Sequence, residues 1–307
     1  MRKCILPAAL ALIAALLLSL ASVPALAGGS APVAENLDIR TYRGVSVGGR
    51  LRAKDPEGDL VRFEITTAPG KGKVDLDEDG HFVYTPADGK RGKDYFGYRA
   101  TDAEGNRSQE ATVIIRIEKQ RTAVSYTDLR GSGSERAAVR LAEEGVYVGA
   151  CLGGEYVFAP DEAVTRSEFL ALCMRAAGCE TLKNARSTGF ADDGEIAVWA
   201  RPYVATALRD GLIAGYAGTE AGAVFRPDAP VSVAEAAVML DRALALTDAV
   251  PAWFAYDAAL PAWAVQACAN LSACGLLPEG CALTDAALSR AQAAEMLSAA
   301  LDVLARR

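Results

Sequence analysis

"VTRSEFLALCMRAAG", residues 164–178, decides the fold of the second half of the chain. Thr165 is followed three places later by Glu168, the spacing of a capping box. In that motif the hydroxyl accepts from a first-turn amide and the carboxylate reaches back to the Thr amide. The same start signal returns as Ser232 with Glu235 and as Ser289 with Gln292, so three helices with equivalent beginnings are predicted. Arg166 is left over: it puts a cation on the first turn, where the helix dipole slightly disfavours it. Such a side chain is either simply solvated or placed to meet an anion.

Outward from that box the sequence repeats. "GVYVGACLGGEYVFAPDEAVTRSEF" from Gly145 aligns with "GLIAGYAGTEAGAVFRPDAPVSVAEA" from Gly211. Phe158 and Phe225 each stand seven residues before their box hydroxyl, and Pro160-Asp161 matches Pro227-Asp228. A shorter third copy starts at Gly275 and lacks the Phe-x-Pro part. Trp199 and Trp263 lie twelve residues before Gly211 and Gly275, whereas Gly133 holds that place in the first copy. Each unit opens with an aromatic near an acid: Tyr126 with Asp128, Phe190 with Asp192, Phe254 with Asp257. Two-helix units bury little alone, so three stacked around one core are expected.

Upstream the period changes. Residues 33 to 118 read as short strands, with "VRFEITT" and "ATVIIRIE" alternating and rich in β-branched residues. Turn clusters such as "DPEGD", "DEDG" and "DAEGN" separate them, the spacing of an antiparallel sandwich. "KQRTAVS" reads as a short linker to the helical part.

The first 27 residues carry the marks of a signal peptide: Arg2 and Lys3, the run "ILPAALALIAALLLSLA", and "ALA" at 25–27, with cleavage expected after Ala27. The competing reading is an uncleaved anchor, since the run is near the lower limit for a span. The remaining 280 residues hold no second apolar stretch of that length, so no membrane contact is expected after cleavage. Loss of Arg2 and Lys3 with no acid takes the formal charge from −7 to −9, which argues against nucleic acid as a partner. Six cysteines remain after cleavage; export permits disulfides, buried free thiols are the alternative, and sequence does not choose among 15 connectivities. With no Cys-x-x-Cys and one histidine, His81, a zinc site is not expected.

The three units resemble S-layer homology repeats, which come in threes. Phe190, Asp192, Trp199, Gly211, Gly215, Phe225, Pro227 and the boxes "TRSE", "SVAE" and "SRAQ" carry the likeness over about residues 124–304. The units are bounded as 124–180, 187–246 and 250–304. The resemblance implies an all-α pseudo-threefold trimer at the bacterial surface or S-layer. Such a trimer would anchor the protein to a secondary cell-wall polysaccharide or peptidoglycan-linked polymer, often one bearing pyruvyl ketals. It implies glycan-binding roles for Arg166, Arg290, Trp199, Trp263, Asp128 and Asp192. A guanidinium forks onto a carboxylate, free helix-start amides accept an anion, and indoles offer a flat apolar face to a sugar. The chain departs from the pattern at Val233, which has no charge to offer, at Gln292 and in the short third loop; at most two competent grooves are expected.

Residues 33–118 resemble bacterial cadherin-like or Ig-like surface modules, implying a multidomain chain with an all-β front domain. Asp55, Glu57, Asp59 and Asp102 offer oxygen at a density that suits calcium, although Asp and Gly in turns also simply shape turns. No cofactor other than calcium is raised. Catalysis is not expected. A Ser-His-Asp or Cys-His set would need His81, which sits in a predicted strand with no Gly-x-Ser-x-Gly anywhere. The pair Asp192-Asp193 lies at a repeat start, and there is no Walker loop or dinucleotide fingerprint. Two functions follow: a non-catalytic wall-anchored protein, or an adhesion protein whose sandwich binds a protein partner or calcium while a degenerate trimer serves as scaffold.

Overall fold

The computed structural model describes residues 29–218, 222–251, 254, 260–278 and 286–306. The signal-peptide reading, Asp257 and Cys281 lie outside the described residues.

The front of the chain is β-structure in two main sheets. One has four strands in the order β2 (Leu37–Tyr42), β9 (Ala111–Glu118), β8 (Gly92–Thr101), β5 (Arg62–Thr67); β2 runs parallel to β9 and the rest are antiparallel. The other has β3 (Val47–Arg50), β7 (His81–Pro86) and β6 (Gly72–Leu76), and a short pair joins β1 (Val33–Ala34) to β4 (Ala53–Lys54). Alternation in β9 buries Ala111, Val113, Ile115 and Ile117 on one face. Those side chains meet Phe82, Tyr84, Phe96 and Tyr98 in the core, with Phe82 and Phe96 edge to face at 5.3 Å. The polar tips of the tyrosines are satisfied: Tyr98 donates to the Arg52 carbonyl at 2.8 Å and Tyr84 to Asp94 at 2.7 Å. The "DEDG" stretch turns β6 into β7 with Gly80 at φ 84°, where a side chain would be strained.

The rest of the chain is mainly helical: α1 (Glu135–Glu143), α2 (Arg166–Ala176), α3 (Arg201–Arg209), α4 (Val233–Leu244), α5 (Val265–Ala273) and α6 (Arg290–Leu304). The all-α expectation needs correction, because Ala150–Leu152 and Glu155–Val157 form a small hairpin, β10–β11. Glycine turns at Gly149, Gly153 and Gly154 permit it, all with positive φ.

The three capping boxes are present on α2, α4 and α6, each with both reciprocal bonds. The residue before each cap joins a closed ring. Val164 donates to the Leu288 carbonyl at 3.0 Å, Leu288 to Val231 at 2.8 Å, and Val231 back to Val164 at 2.9 Å. A second set runs the opposite way round: the amides of Arg166, Val233 and Arg290 donate to Ala229, Ala286 and Glu162. The free first-turn amides expected as an anion site are therefore already bonded to neighbouring loops. Phe158, Phe169, Phe225, Met296 and Leu297 fill one core beneath this ring.

The five described cysteines are free thiols. Cys173 and Cys268 are buried, and burial pushes the Cys268 thiol up to about 11. Among the described residues no helix is long and apolar enough to cross a membrane.

Candidate functional site

Two clefts open between helical units. The first, of about 460 Å³, is lined by Arg166, Tyr216, Glu235, Met239, Arg242 and Trp263 among others. The second, of about 180 Å³, is lined by Tyr147, Glu168, Arg175, Trp199, Tyr203 and Arg290. Only the first falls in the size range usual for small-ligand sites. Trp263 and Trp199 sit just ahead of α5 and α3 and stay 57% and 53% exposed, so each indole offers a face to the solvent side of its cleft. Arg242 and Arg175 stand in the last turns of α4 and α2, where the dipole favours a cation.

Arg166 reaches the floor of the first cleft, but it is not waiting for an anion. It is 4% exposed, and an internal acid already matches its charge: Nη1 lies 2.9 Å from the Glu235 carboxylate. Its Nε donates to the Phe225 carbonyl at 2.9 Å, and the guanidinium stacks 4.6 Å over the Tyr216 ring. Arg226 covers the same ring at 4.3 Å. Tyr216 donates its hydroxyl to Glu235, and burial together with that bond pushes the phenol up to about 12. Glu235 thus closes the capping box on Ser232, pairs with Arg166 and accepts from Tyr216.

Arg290 repeats the arrangement with a different acid. It donates to the carbonyls of Phe158 and Ala159 at 2.8 and 3.2 Å and pairs with Glu162 at 2.8 Å. Both box arginines therefore tie the Phe-x-Pro loop of a neighbouring unit to a helix start. The expectation that they are unpaired anion ligands is corrected by these bonds, although both still line clefts.

Asp128 and Asp192 require a firmer correction, since neither lines a cleft. Asp192 accepts from the amides of Phe225 and Arg226 at 2.8 and 2.7 Å, and Asp128 accepts from Phe158 and Ala159 at 3.0 and 2.6 Å. Arg226 and Ala159 have φ of 59° and 56°, strained for residues with a side chain. The carboxylates hold those turns, a scaffold role.

Two of the four calcium candidates, Asp55 and Asp102, already close turns. Asp55 accepts from the amides of Glu57 and Asp59 at 3.1 and 2.9 Å. Asp102 accepts from those of Glu104 and Asn106 at 2.9 and 2.8 Å. These are turn-closing bonds of the kind Asp makes in loops. Glu57 accepts from the Ser30 amide at 3.0 Å. The carboxyl of Asp59 is raised by desolvation and by Asp55, Glu104, Asp102 and Glu57 around it. Among the described residues no group of three His, Cys, Asp or Glu is set to hold a metal ion.

Arg175 and Arg242 were missed by the sequence reading. Arg242 donates to the carbonyls of Gly211 and Leu212, both at 3.3 Å, and Arg175 donates to that of Gly145. Among the described residues neither has a carboxylate partner. The signal was there: each stands seven residues past the box acid, Glu168 or Glu235.

Residues 29–119 match the family model of the bacterial cadherin-like domain, and residues 189–237 match that of the S-layer homology domain. The matched domains are non-catalytic modules. An S-layer homology domain indicates association with the cell surface. No match is found among curated proteins. Among solved structures, an endo-fucoidan hydrolase of glycoside hydrolase family 107 is 21% identical over 31% of this chain and 14% of its own, with a TM-score of 0.25. The SrpA adhesin of Streptococcus sanguinis, as its R347E mutant, is 21% identical over 31% of this chain and 65% of its own, TM-score 0.23. Drosophila N-cadherin EC1-4 is 14% identical over 29% of this chain and 25% of its own, TM-score 0.24. This chain therefore spans well under two thirds of the fucoidan hydrolase's length.

Proposed function

We propose that the chain is a non-catalytic cell-surface protein whose helical half consists of three S-layer homology repeats around a pseudo-threefold axis. In this reading, clefts between the repeats grip an acidic polysaccharide of the cell wall. The closed ring through Val164, Leu288 and Val231 and the three boxes in register support the threefold arrangement. One observation carries the binding role. Each cleft combines an exposed indole, a box arginine and a helix-end arginine, one from each unit: Trp263, Arg166 and Arg242 in one, Trp199, Arg290 and Arg175 in the other.

The box arginines shape the floor and are neutralised internally, so the helix-end arginines supply the charge for an incoming carboxylate. The indole stacks on the sugar face. A pyruvyl ketal would present such a carboxylate on a sugar, and the larger Trp263 cleft is the principal site. The sandwich carries adhesion or spacing outward from the wall.

The test is sedimentation of the full chain with purified wall fragments, before and after mild acid removes ketal-linked acids. Binding is expected to fall at least tenfold after that treatment and in Trp263→Ala. Equal retention by treated fragments refutes the acid, and equal retention of the variant refutes the cleft.

A further inference from the structure

The two clefts share a rule: each takes its indole, its box residue and its helix-end residue from three different units. A third furrow must then combine the indole position of the first unit, the box position of the second and the helix end of the third. Those positions hold Gly133, Val233 and Ala299. These three positions, scattered over 167 positions of sequence, belong to one furrow. Gly133 and Ala299 both line it, and the cyclic order assigns Val233 to it.

The β domain sits in that furrow. Its other wall is Val47, Gly48, Gly49, Phe82 and Val83. The Gly48 amide donates to the Gly133 carbonyl at 3.0 Å, and the two backbones nearly touch. A Cβ on Gly48 would lie 3.0 Å from the Gly133 Cα, and one on Gly133 would lie 3.3 Å from the Gly48 Cα. An indole at 133 and this contact exclude each other. Around it the joint is closed by polar bonds: Ser46 donates its amide to buried Glu135 at 3.1 Å and accepts from the Arg136 amide at 3.1 Å. Tyr42 and Val45, from the β domain, are buried in the helical core. On the far side, Arg136 donates to Ser298 at 3.0 Å and pairs with Asp302 at 3.2 Å. These bonds occupy the helix face that in the other clefts carries the helix-end arginine.

We propose that this furrow is a former ligand groove converted into a seat for the cadherin-like domain. The inference rests on the three-repeat reading above for the word "former", while the docking itself stands on the contacts at Gly48, Ser46 and Glu135. The consequence is mechanical. The β domain is clamped at one fixed angle to the polymer-binding clefts instead of swinging on the linker at 119–123, and the chain keeps two clefts.

The experiment is hydrogen exchange by mass spectrometry on the full chain, comparing wild type with Gly133→Trp and, should that variant fail to fold, with Gly48→Val. Valine suits a strand position, so that change targets the contact rather than the sandwich. Peptides covering 42–50 and 133–140 are expected to exchange at least tenfold faster in either variant, with far-UV circular dichroism unchanged and the maximum dimension by X-ray scattering increased. Unchanged protection and dimension in a folded variant overturn the proposal. Exchange does not involve polymer, so wild type that fails to sediment with wall fragments refutes the polymer reading alone.

Discussion

The role of Arg166 is decided by a double-mutant cycle with Glu235. At 2.9 Å and an effective dielectric near 20, the gross attraction is roughly 6 kcal/mol, and taking both ions out of water costs several kcal/mol each. The intact pair is therefore near neutral for stability, whereas either half alone is a buried, uncompensated charge. Arg166→Met leaves the Glu235 carboxylate, only 15% exposed, without its cation and should cost about 3–5 kcal/mol. Glu235→Gln strands the guanidinium and should cost about as much, less what the amide oxygen recovers by still accepting from Tyr216 or Ser232. The double variant, with no ion to strand, should lose only about 1–3 kcal/mol, giving a coupling energy of roughly 3–6 kcal/mol. Urea denaturation at neutral pH, with all four proteins sharing one m-value, measures it. The double variant should also retain wall binding, because Arg242 supplies the cleft's charge. Additive single effects within about 0.5 kcal/mol would mean that Glu235 does not hold Arg166, and the guanidinium would again be free for ligand.

Three further outcomes are expected. Arg242→Gln should weaken sedimentation with wall fragments by about 1.5–3 kcal/mol, the range for a charge-assisted bond, while leaving the melting temperature within about 2 °C; unchanged binding removes Arg242 from the site. Asp192→Ala should cost about 3 kcal/mol of stability by stripping the Phe225 and Arg226 amides of their acceptor, a fall of roughly 6–12 °C in Tm by calorimetry, and Asp192→Asn should recover part of it. Glu135 is held above its ordinary value of 4.5, chiefly by burial, so its folded form takes up a proton more readily than the unfolded chain. Its contribution is then full below about 4.5 and lost as pH rises through the raised value, and Glu135→Gln should flatten the stability curve between pH 4 and 8; parallel curves would refute this.

Much of this is legible in the sequence, for a physical reason. Alternation in Ala111–Glu118 and the Ser/Thr-x-x-Glu/Gln boxes are local signals, set by strand pleat and helix ends, and both elements form where the residues place them. What was misread is non-local. Asp192 looks like a ligand until Phe225, 33 residues on, is seen donating to it. Arg166 looks unmatched because its acid belongs to the next unit's box, where a local reading assigns Glu235 wholly to Ser232. A carboxylate has two oxygens and several lone pairs, and sequence reveals only the partner within one turn.

The same limit explains why the degenerate positions resemble decay when read along the chain. Gly133, Val233 and Ala299 fall one in each unit, so each repeat appears slightly worn. Folding regroups them. In a cyclic arrangement of three units, three independent losses, one of each feature, would share a cleft in only about one arrangement in nine. They share it here, and that furrow is filled by another domain. A groove covered by the Val47–Arg50 strand has no use for an indole, and Gly133 is needed for the 3.0 Å bond to Gly48. Nor can a cation easily be added beside Arg136, which already pairs with Asp302. On the proposed three-repeat reading, loss of ligand chemistry and gain of a docking surface are thus one change in the same residues, and the other two clefts, which nothing among the described residues covers, keep their indoles.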